Sequence, residues 1–375
     1  MKIAYITTDE ILGPQNTGGI QCSNRNLLLL KQAFGEDNIY LCVITKNKEH
    51  LLSEEDENIA TFFTNRSSGL YILRNILSTR LMFNEKVEKA VLEHLESLNC
   101  EIAFFDRSNM GFMQKKLPKK TKQVLFVQGI EKDYFRSQIR KEPLRALLYH
   151  AVKQNEKLAV KNADLVITLN QRDAGKLKEY YNRIPDLILP ITADDSFVQS
   201  GGTARERTGS ILKLLFVGSL FPPNEHGIKW LINNVMPHVD AELTVVGRGF
   251  EKLSGKLNRN NVNIIGTVDN LPEYYHSADA IVSPILFGAG MKVKTAEALM
   301  YGKPMFATDE ALEGYEPENL KNIYRCNTAQ EFISAINTYS ESETYITHDE
   351  DIRALFLEKY HTPKYVSAIK ELLMK

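Results

Sequence analysis

The sequence predicts an α/β protein made of two tandem, doubly wound, Rossmann-like parallel sheets. Three observations predict it. Short apolar strands alternate with helical segments along nearly the whole chain, the pattern of a parallel sheet covered by helices on both faces. The alternation stops at a polar stretch, VQSGGTARERTGS at 198–210, and then restarts. Glycines stand where several strands turn into helices, at 18–19, 218, 247–249, 266 and 288–290, the end of such sheets where ligands bind.

Bulk properties agree with two domains. The chain has 375 residues, 43% of them hydrophobic and 25% charged, with a formal net charge of −1. Nothing there argues for a nucleic-acid partner. The opening MKIAYITTDE reads as a strand, not a signal peptide. No apolar run approaches the roughly 18 residues of a membrane span. Cys22, Cys42, Cys100 and Cys326 are scattered, without metal-ligand spacing, and read as reduced thiols of a cytoplasmic protein. No His/Asp/Glu cluster has metal spacing, so no metal site is expected.

The elements follow in order. Lys2–Thr7 is a strand; a polar loop ends in Gly18-Gly19; Ile20–Phe34 is a helix. Ile39–Ile44 is a strand. Leu51 to Asn99 reads as mostly helical, clearest over Gly69–Leu81 and Val87–Leu98. Strands at Glu101–Phe105 and Gln123–Val127 end at Asp106-Arg107 and at Gln128. A helix covers Pro143–Lys161, a strand Asp164–Thr168, and Asn170 caps a helix to Tyr181. Leu187–Leu189 is the last strand of the first half. In the second half, strands fall at Ile211–Val217, Glu242–Val246, Val262–Ile265, Ala280–Ser283, Met305–Ala307 and Asn322–Arg325. Helices fall at Ile228–Met236, after a Pro222-Pro223-Asn224 loop, and at Leu271–His276, Met291–Tyr301 and Thr328–Tyr339. The tail, Ile352–Met374, is helical.

Chemistry concentrates in SPILFGAGMKVKTAEALMYGKP at 283–304. A strand leads into Gly288-Ala289-Gly290, and a helix follows. Glycines let the backbone approach a ligand, and the unpaired N–H groups of a helix start favour an anion such as a diphosphate. Lys292 and Lys294 add charge at the same end. Glu297, between two alanines, needs a hydrogen-bonding partner such as a ribose diol. A plain solvated face with Glu297 paired to Lys294 accounts for this stretch equally well when it is taken alone.

The second half resembles the donor-binding domain of group 1 glycosyltransferases of the family 4 style. The resemblance rests on Phe216-Val217-Gly218-Ser219-Leu220, Pro223–Gly227, Val245-Val246-Gly247-x-Gly249, Ile265-Gly266-x-Val268, and the run from Gly288 to Ala298 with Gly302-Lys303-Pro304. It covers about residues 211–330, with the motifs in family order. It implies the GT-B fold, two domains facing each other across a cleft: an acceptor-binding domain at 1–197, a linker at 198–210, a nucleotide-sugar domain at 211–345, and C-terminal helices at 346–375 crossing back to the first domain. It implies a retaining, metal-independent glycosyltransferase that uses a nucleotide-sugar co-substrate and no cofactor.

Residue by residue, the resemblance makes Glu297 the ribose ligand. Lys292 and Lys294 become the cations at the diphosphate. Gly18, Gly19, Gly218, Ser219, Arg248, Gly266, Val268, Gly288, Ala289, Gly290, Met291 and Val293 become the donor-binding loops, and Gln128 a catalytic position. The chain departs from the pattern at Ala289, where many relatives carry a second glutamate, at Ser219 and His226 in place of an arginine and a lysine, and at Gln128 in place of a histidine. No carboxylate pair of the glycosidase kind stands out. The departing phosphate would then accept the acceptor's proton on the same face of the sugar.

The resemblance further implies cell-surface polysaccharide or glycoconjugate synthesis, with a glycan or lipid-linked acceptor. The five lysines of Lys115–Lys122, with Phe112 and Met113 before them, read either as a solvated loop or as a peripheral contact with the inner face of the membrane. The other functional readings are a non-catalytic partner of an active enzyme and a nucleotide-sugar 2-epimerase.

Overall fold

The structure is a computed structural model and describes residues 1–13, 17–50, 58–64, 85–139, 146–198, 204–206, 211–288, 290–342 and 344–375. Contacts divide the chain into two units, Met1–Pro190 with Thr362–Lys375, and Ile191–His361.

In the first unit the order is β1 (Ile3–Thr7), α1 (Gly18–Phe34), β2 (Ile39–Thr45), β3 (Ile59–Phe63), α2 (Glu85–Leu98), β4 (Ile102–Asp106), β5 (Lys122–Val127), α3 (Glu131–Ile139), α4 (Ala146–Asn162), β6 (Leu165–Thr168), α5 (Gln171–Tyr181) and β7 (Leu187–Ile188). The described strands form a parallel sheet in the order β3-β2-β1-β4-β5-β6-β7, a doubly wound arrangement whose order reverses beside β1. Its strands are apolar on both faces because helices cover both. Ala4, Ile6, Ala103, Phe105, Leu125 and Val127 pack on one face. On the other, Tyr5, Phe104 and Phe126 stack at 5.5 and 6.4 Å.

The second unit runs β8 (Ala204–Glu206), β9 (Leu212–Val217), α6 (Pro222–Asn234), β10 (Ala241–Val246), β11 (Val262–Gly266), α7 (Leu271–Ser277), β12 (Ala280–Ser283), α8 (Val293–Met300), β13 (Met305–Ala307), α9 (Asp309–Leu312), β14 (Ile323–Arg325), α10 (Ala329–Ser340), β15 (Thr344–Ile346) and α11 (Glu350–Lys359). Its parallel sheet has the order β11-β10-β9-β12-β13-β14, and β8 pairs with β15 in a separate antiparallel ribbon. The last helix, α12 (Pro363–Met374), belongs to the first unit and packs on α1.

Local chemistry explains the boundaries. Thr17 caps α1, and Asn170 caps α5 through Asp173 N at 2.8 Å. Thr328 and Glu331 cap α10 reciprocally. Asn182, in the left-handed region at φ 52°, ends α5.

Four expectations are corrected. Ile59–Phe63 is a strand, not part of a helical region, because its β-branched and aromatic run pairs with β2 at the sheet edge. Pro222 and Pro223 open α6 instead of forming a loop; a proline in the first turn loses no hydrogen bond. The tail is two helices, because Pro363 cannot continue the first and starts the second. Residues 131–139, given no element above, form α3. The expected helix at Gly69–Leu81, the start of the helix expected from Pro143, and most of the stretch 198–210 lie outside the described residues.

Candidate active site

The carboxyl ends of β9, β10 and β12 meet in the second unit. After β9 the chain turns at Gly218. A Cβ on Gly247 would stand 2.0 Å from the Gly218 carbonyl oxygen, so the two turns touch only because residue 247 has no side chain. Backbone bonds tie the layers: Gly218 N to Val246 O at 2.9 Å, Leu220 N to Arg248 O at 2.8 Å, Gly247 N to Gly266 O at 2.7 Å. Arg248 thus gives this turn its carbonyl, while its side chain is exposed.

Lys294, in the first turn of α8, crosses to this turn. Its Nζ donates to Asn224 Oδ1 at 2.6 Å and lies 4.2 Å from the centre of the Phe216 ring. A Cβ on Gly218 would stand 2.9 Å from the same Nζ. Asn224 is aimed by its own amide, which donates to Ser219 O at 2.8 Å. Among the described residues no carboxylate lies within ion-pair distance of this ammonium. Burial, reinforced by the charge of Lys292 and opposed by Glu297, lowers the Lys294 pKa to about 7. Near neutral pH the group is therefore divided between amine and ammonium, and a bound anion would favour the ammonium.

Glu297 lies one turn further along α8. Its Oε2 accepts from Tyr275 Oη at 3.0 Å, and the Tyr275 ring stacks on Tyr301 at 4.5 Å. Burial raises its pKa, while the Tyr275 hydrogen bond and Lys294 pull the other way. It does not pair with Lys294 as the plain reading of the sequence would have it.

Lys292 differs from Lys294. Its Nζ forms an ion pair with Glu310 Oε1 at 2.7 Å and donates to Gly290 O at 2.7 Å, and Tyr315 Oη donates to its carbonyl at 2.7 Å. The expectation of two equivalent cations is therefore corrected: Lys292 is matched by a carboxylate that no sequence spacing announced. Gly288 and Gly290 border this pair; Ala289 lies outside the described residues. Met291 is buried, its Sδ 3.4 Å from Ile191 N. Val293 and Val268 are half-buried. Lys303 is structural, donating to the Ala278 and Thr347 carbonyls.

The remaining candidates, Gly18, Gly19 and Gln128, lie in the first unit, at the carboxyl ends of its own strands. Gly18 and Gly19 are in the first turn of α1 rather than in a loop. A Cβ on Gly19 would stand 2.4 Å from Arg107 Nη2, so glycine there leaves room for the guanidinium. Arg107, held at φ 125°, bonds Asp9 Oδ2 at 2.9 Å and Glu131 Oε1 at 3.4 Å. It does not pair with its neighbour Asp106, which instead accepts from Asn26 at 2.9 Å and from Gln128. Gln128 Nε2 also bonds Ser23 Oγ at 2.9 Å. Burial and then Asp9 raise the Asp106 pKa; burial raises that of Glu131. Asp9, Ser23, Asn26 and Glu131 were missed by sequence reasoning, as were Tyr275 and Glu310. Each reaches its partner from a distant part of the chain, where residue spacing carries no signal.

Comparison with known proteins gives this geometry a family. Residues 212–342 match the family model described as Glycosyl transferases group 1. Over this stretch the chain is similar to group 1 glycosyl transferases. An uncharacterised 44.6 kDa protein in the cps region of Klebsiella pneumoniae is 28% identical over 144 residues, spanning 34% of this chain and 37% of that protein. The chain therefore matches little more than a third of that relative. Around residues 212–342 the whole chain has the GT-B fold. Sucrose-phosphate synthase from Thermosynechococcus elongatus superposes with a TM-score of 0.75 at 15% identity, covering 100% of this chain and 98% of that one. Anabaena HepE, solved with UDP-glucose, gives 0.66 at 14% identity, covering 100% and 99%. TarM from S. aureus gives 0.69 at 12%, covering 99% of each chain.

Proposed function

We propose that the chain transfers a sugar from a nucleoside-diphosphate donor to a glycan or lipid-linked acceptor, with retention and without a metal ion or cofactor. The single observation that carries this reading is Lys294: a partly buried amine without a carboxylate ion-pair partner among the described residues, held by Asn224 against the Gly218 turn, one helical turn from Glu297. Glycosyl transfer leaves negative charge on the departing diphosphate. A fixed cation and the free amides of a helix start meet that charge without reorganising. Glu297, already oriented by Tyr275, accepts hydrogen bonds from the ribose hydroxyls. The acceptor oxygen bonds to the anomeric carbon as the carbon–phosphate oxygen bond breaks, and the acceptor's proton passes to the leaving phosphate. UDP-glucose bound to HepE makes a uridine donor the first to try.

The acid-rich ends of β1, β4 and β5, with Gln128 among them, suit hydroxyl groups of an acceptor better than an anion. Work at the cytoplasmic face of a membrane, in cell-surface polysaccharide synthesis, belongs to the same reading and draws on the relative in a cps region. The lysine loop contributes charge alone to such a contact. Phe112 and Met113 are buried, Lys116 pairs with Glu88 and Lys120 donates to Asn99. Among the described residues no helix is long and apolar enough to cross a membrane.

The test is a thermal-shift panel of UDP-, GDP-, ADP- and dTDP-sugars, followed by measurement of nucleotide release. Stabilisation by one nucleotide class with slow release of its diphosphate is expected. No shift with any of them overturns the reading and favours a non-catalytic partner role.

A further inference from the structure

Glu310 has no part in the reaction as described, yet it stands at its centre. It lies on α9, which is fixed from two sides. Thr308 caps that helix through Ala311 N at 3.2 Å and donates to the Ile285 carbonyl, and Thr295, on α8, donates to the Ala311 carbonyl at 2.8 Å. The carboxylate is thereby held against the turn that opens α8. Its Oε1 is 2.7 Å from Lys292 Nζ, and a Cβ on Gly288 would stand 3.2 Å from that oxygen. Its side chain remains 20% exposed. Lys292 and Lys294 leave the same turn in different directions, one to Glu310 and one to Asn224.

Resting on the proposed function, we propose that Glu310 binds hydroxyl groups of the transferred sugar and so helps to select it. The sugar of a nucleotide-sugar is joined to the distal phosphate through one oxygen. A diphosphate gripped at Lys294 therefore leaves the sugar beside this turn. A carboxylate there repels phosphate and accepts from hydroxyls, and Lys292 makes its partial burial tolerable. The sequence has alanine at 289, where many relatives carry a glutamate. Glu310 brings a carboxylate to the adjoining residue, Gly288, from a different helix.

Titration calorimetry on the full chain tests this, with UDP, UDP-glucose, UDP-galactose, UDP-N-acetylglucosamine, GDP and GDP-mannose as probes. In Glu310→Gln the affinity for the free nucleotide should stay within about twofold of the parent, while that for the preferred nucleotide-sugar falls about tenfold. Glu310→Asp keeps a charge for Lys292 but withdraws it by one methylene, and should show the same sugar-selective loss with an unchanged melting temperature. Equal losses for nucleotide and nucleotide-sugar, or none, would make Glu310 only the counter-ion of Lys292 and overturn the proposal. A parent protein that binds none of the probes refutes the underlying reading instead.

Discussion

The carboxyl ends of the two sheets solve opposite electrostatic problems. In the first unit Arg107 is matched by Asp9 and Glu131, and Asp106 by amide donors from Asn26 and Gln128. These charges are answered from within. In the second, Lys294 is held by a neutral amide and an aromatic face, and among the described residues no carboxylate forms an ion pair with it, Glu297 acting on it only from a distance. A site that satisfies itself keeps its shape with or without ligand. One that leaves a cation unanswered costs stability until an anion arrives, and so turns that cost into affinity. Under the proposed function, the contrast marks the second end as the one for the charged substrate.

The largest expected effect comes from removing the unanswered cation. Lys294→Ala should lower donor turnover by roughly 10²–10³, the usual loss for one preorganised donor to a developing negative charge, while the melting temperature holds or rises. Steady-state release of nucleotide measures it, and near-parental turnover would break the contrast.

The reverse is expected in the first unit. Arg107→Ala leaves Asp9 and Glu131 facing each other without a cation and should cost about 2–3 kcal/mol, measured by denaturant unfolding with UDP affinity unchanged. A loss of UDP affinity without loss of stability would assign Arg107 to the donor instead.

The smallest effect is the dependence on pH. The Lys294 pKa is about 7 in the folded chain and about 10.5 when unfolded. Between those values the unfolded chain holds more protons, so this group's contribution to stability rises with pH across that window and is flat below it. An anion raises the folded pKa, so binding takes up a proton above pH 7. UDP affinity should therefore fall by up to about tenfold per pH unit above 7. Lys294→Met should flatten both profiles. For Asp106, whose folded pKa is raised, the sign is opposite: its contribution falls as pH rises from the ordinary carboxylate range to the folded value.

Much of this was legible in the residues. Short apolar runs marked most strands of the two parallel sheets to within a residue or two, because a strand buried on both faces has to be apolar throughout; the ribbon strands β8 and β15 were not expected. Ile59–Phe63 escaped because short apolar runs suit helix and strand alike. Pro222-Pro223 misled because proline both breaks and begins helices. In the site, the glycine turn, Lys294 and Glu297 could be read because they share one strand-turn-helix. Their partners could not: Asn224 is 70 residues from Lys294, Tyr275 is 22 from Glu297, and Glu310 is 18 from Lys292. Only the fold brings such pairs together, and no periodicity records them.

The place of α12 has a consequence for the order of synthesis. The chain makes most of its first unit, then all of its second, and only then the helix that covers α1. A ribosome would present a finished second unit while the first still lacked α12, with the side of α1 that this helix packs on waiting in the open. Until α12 emerges, a unit begun before the second stays incomplete after the second is made.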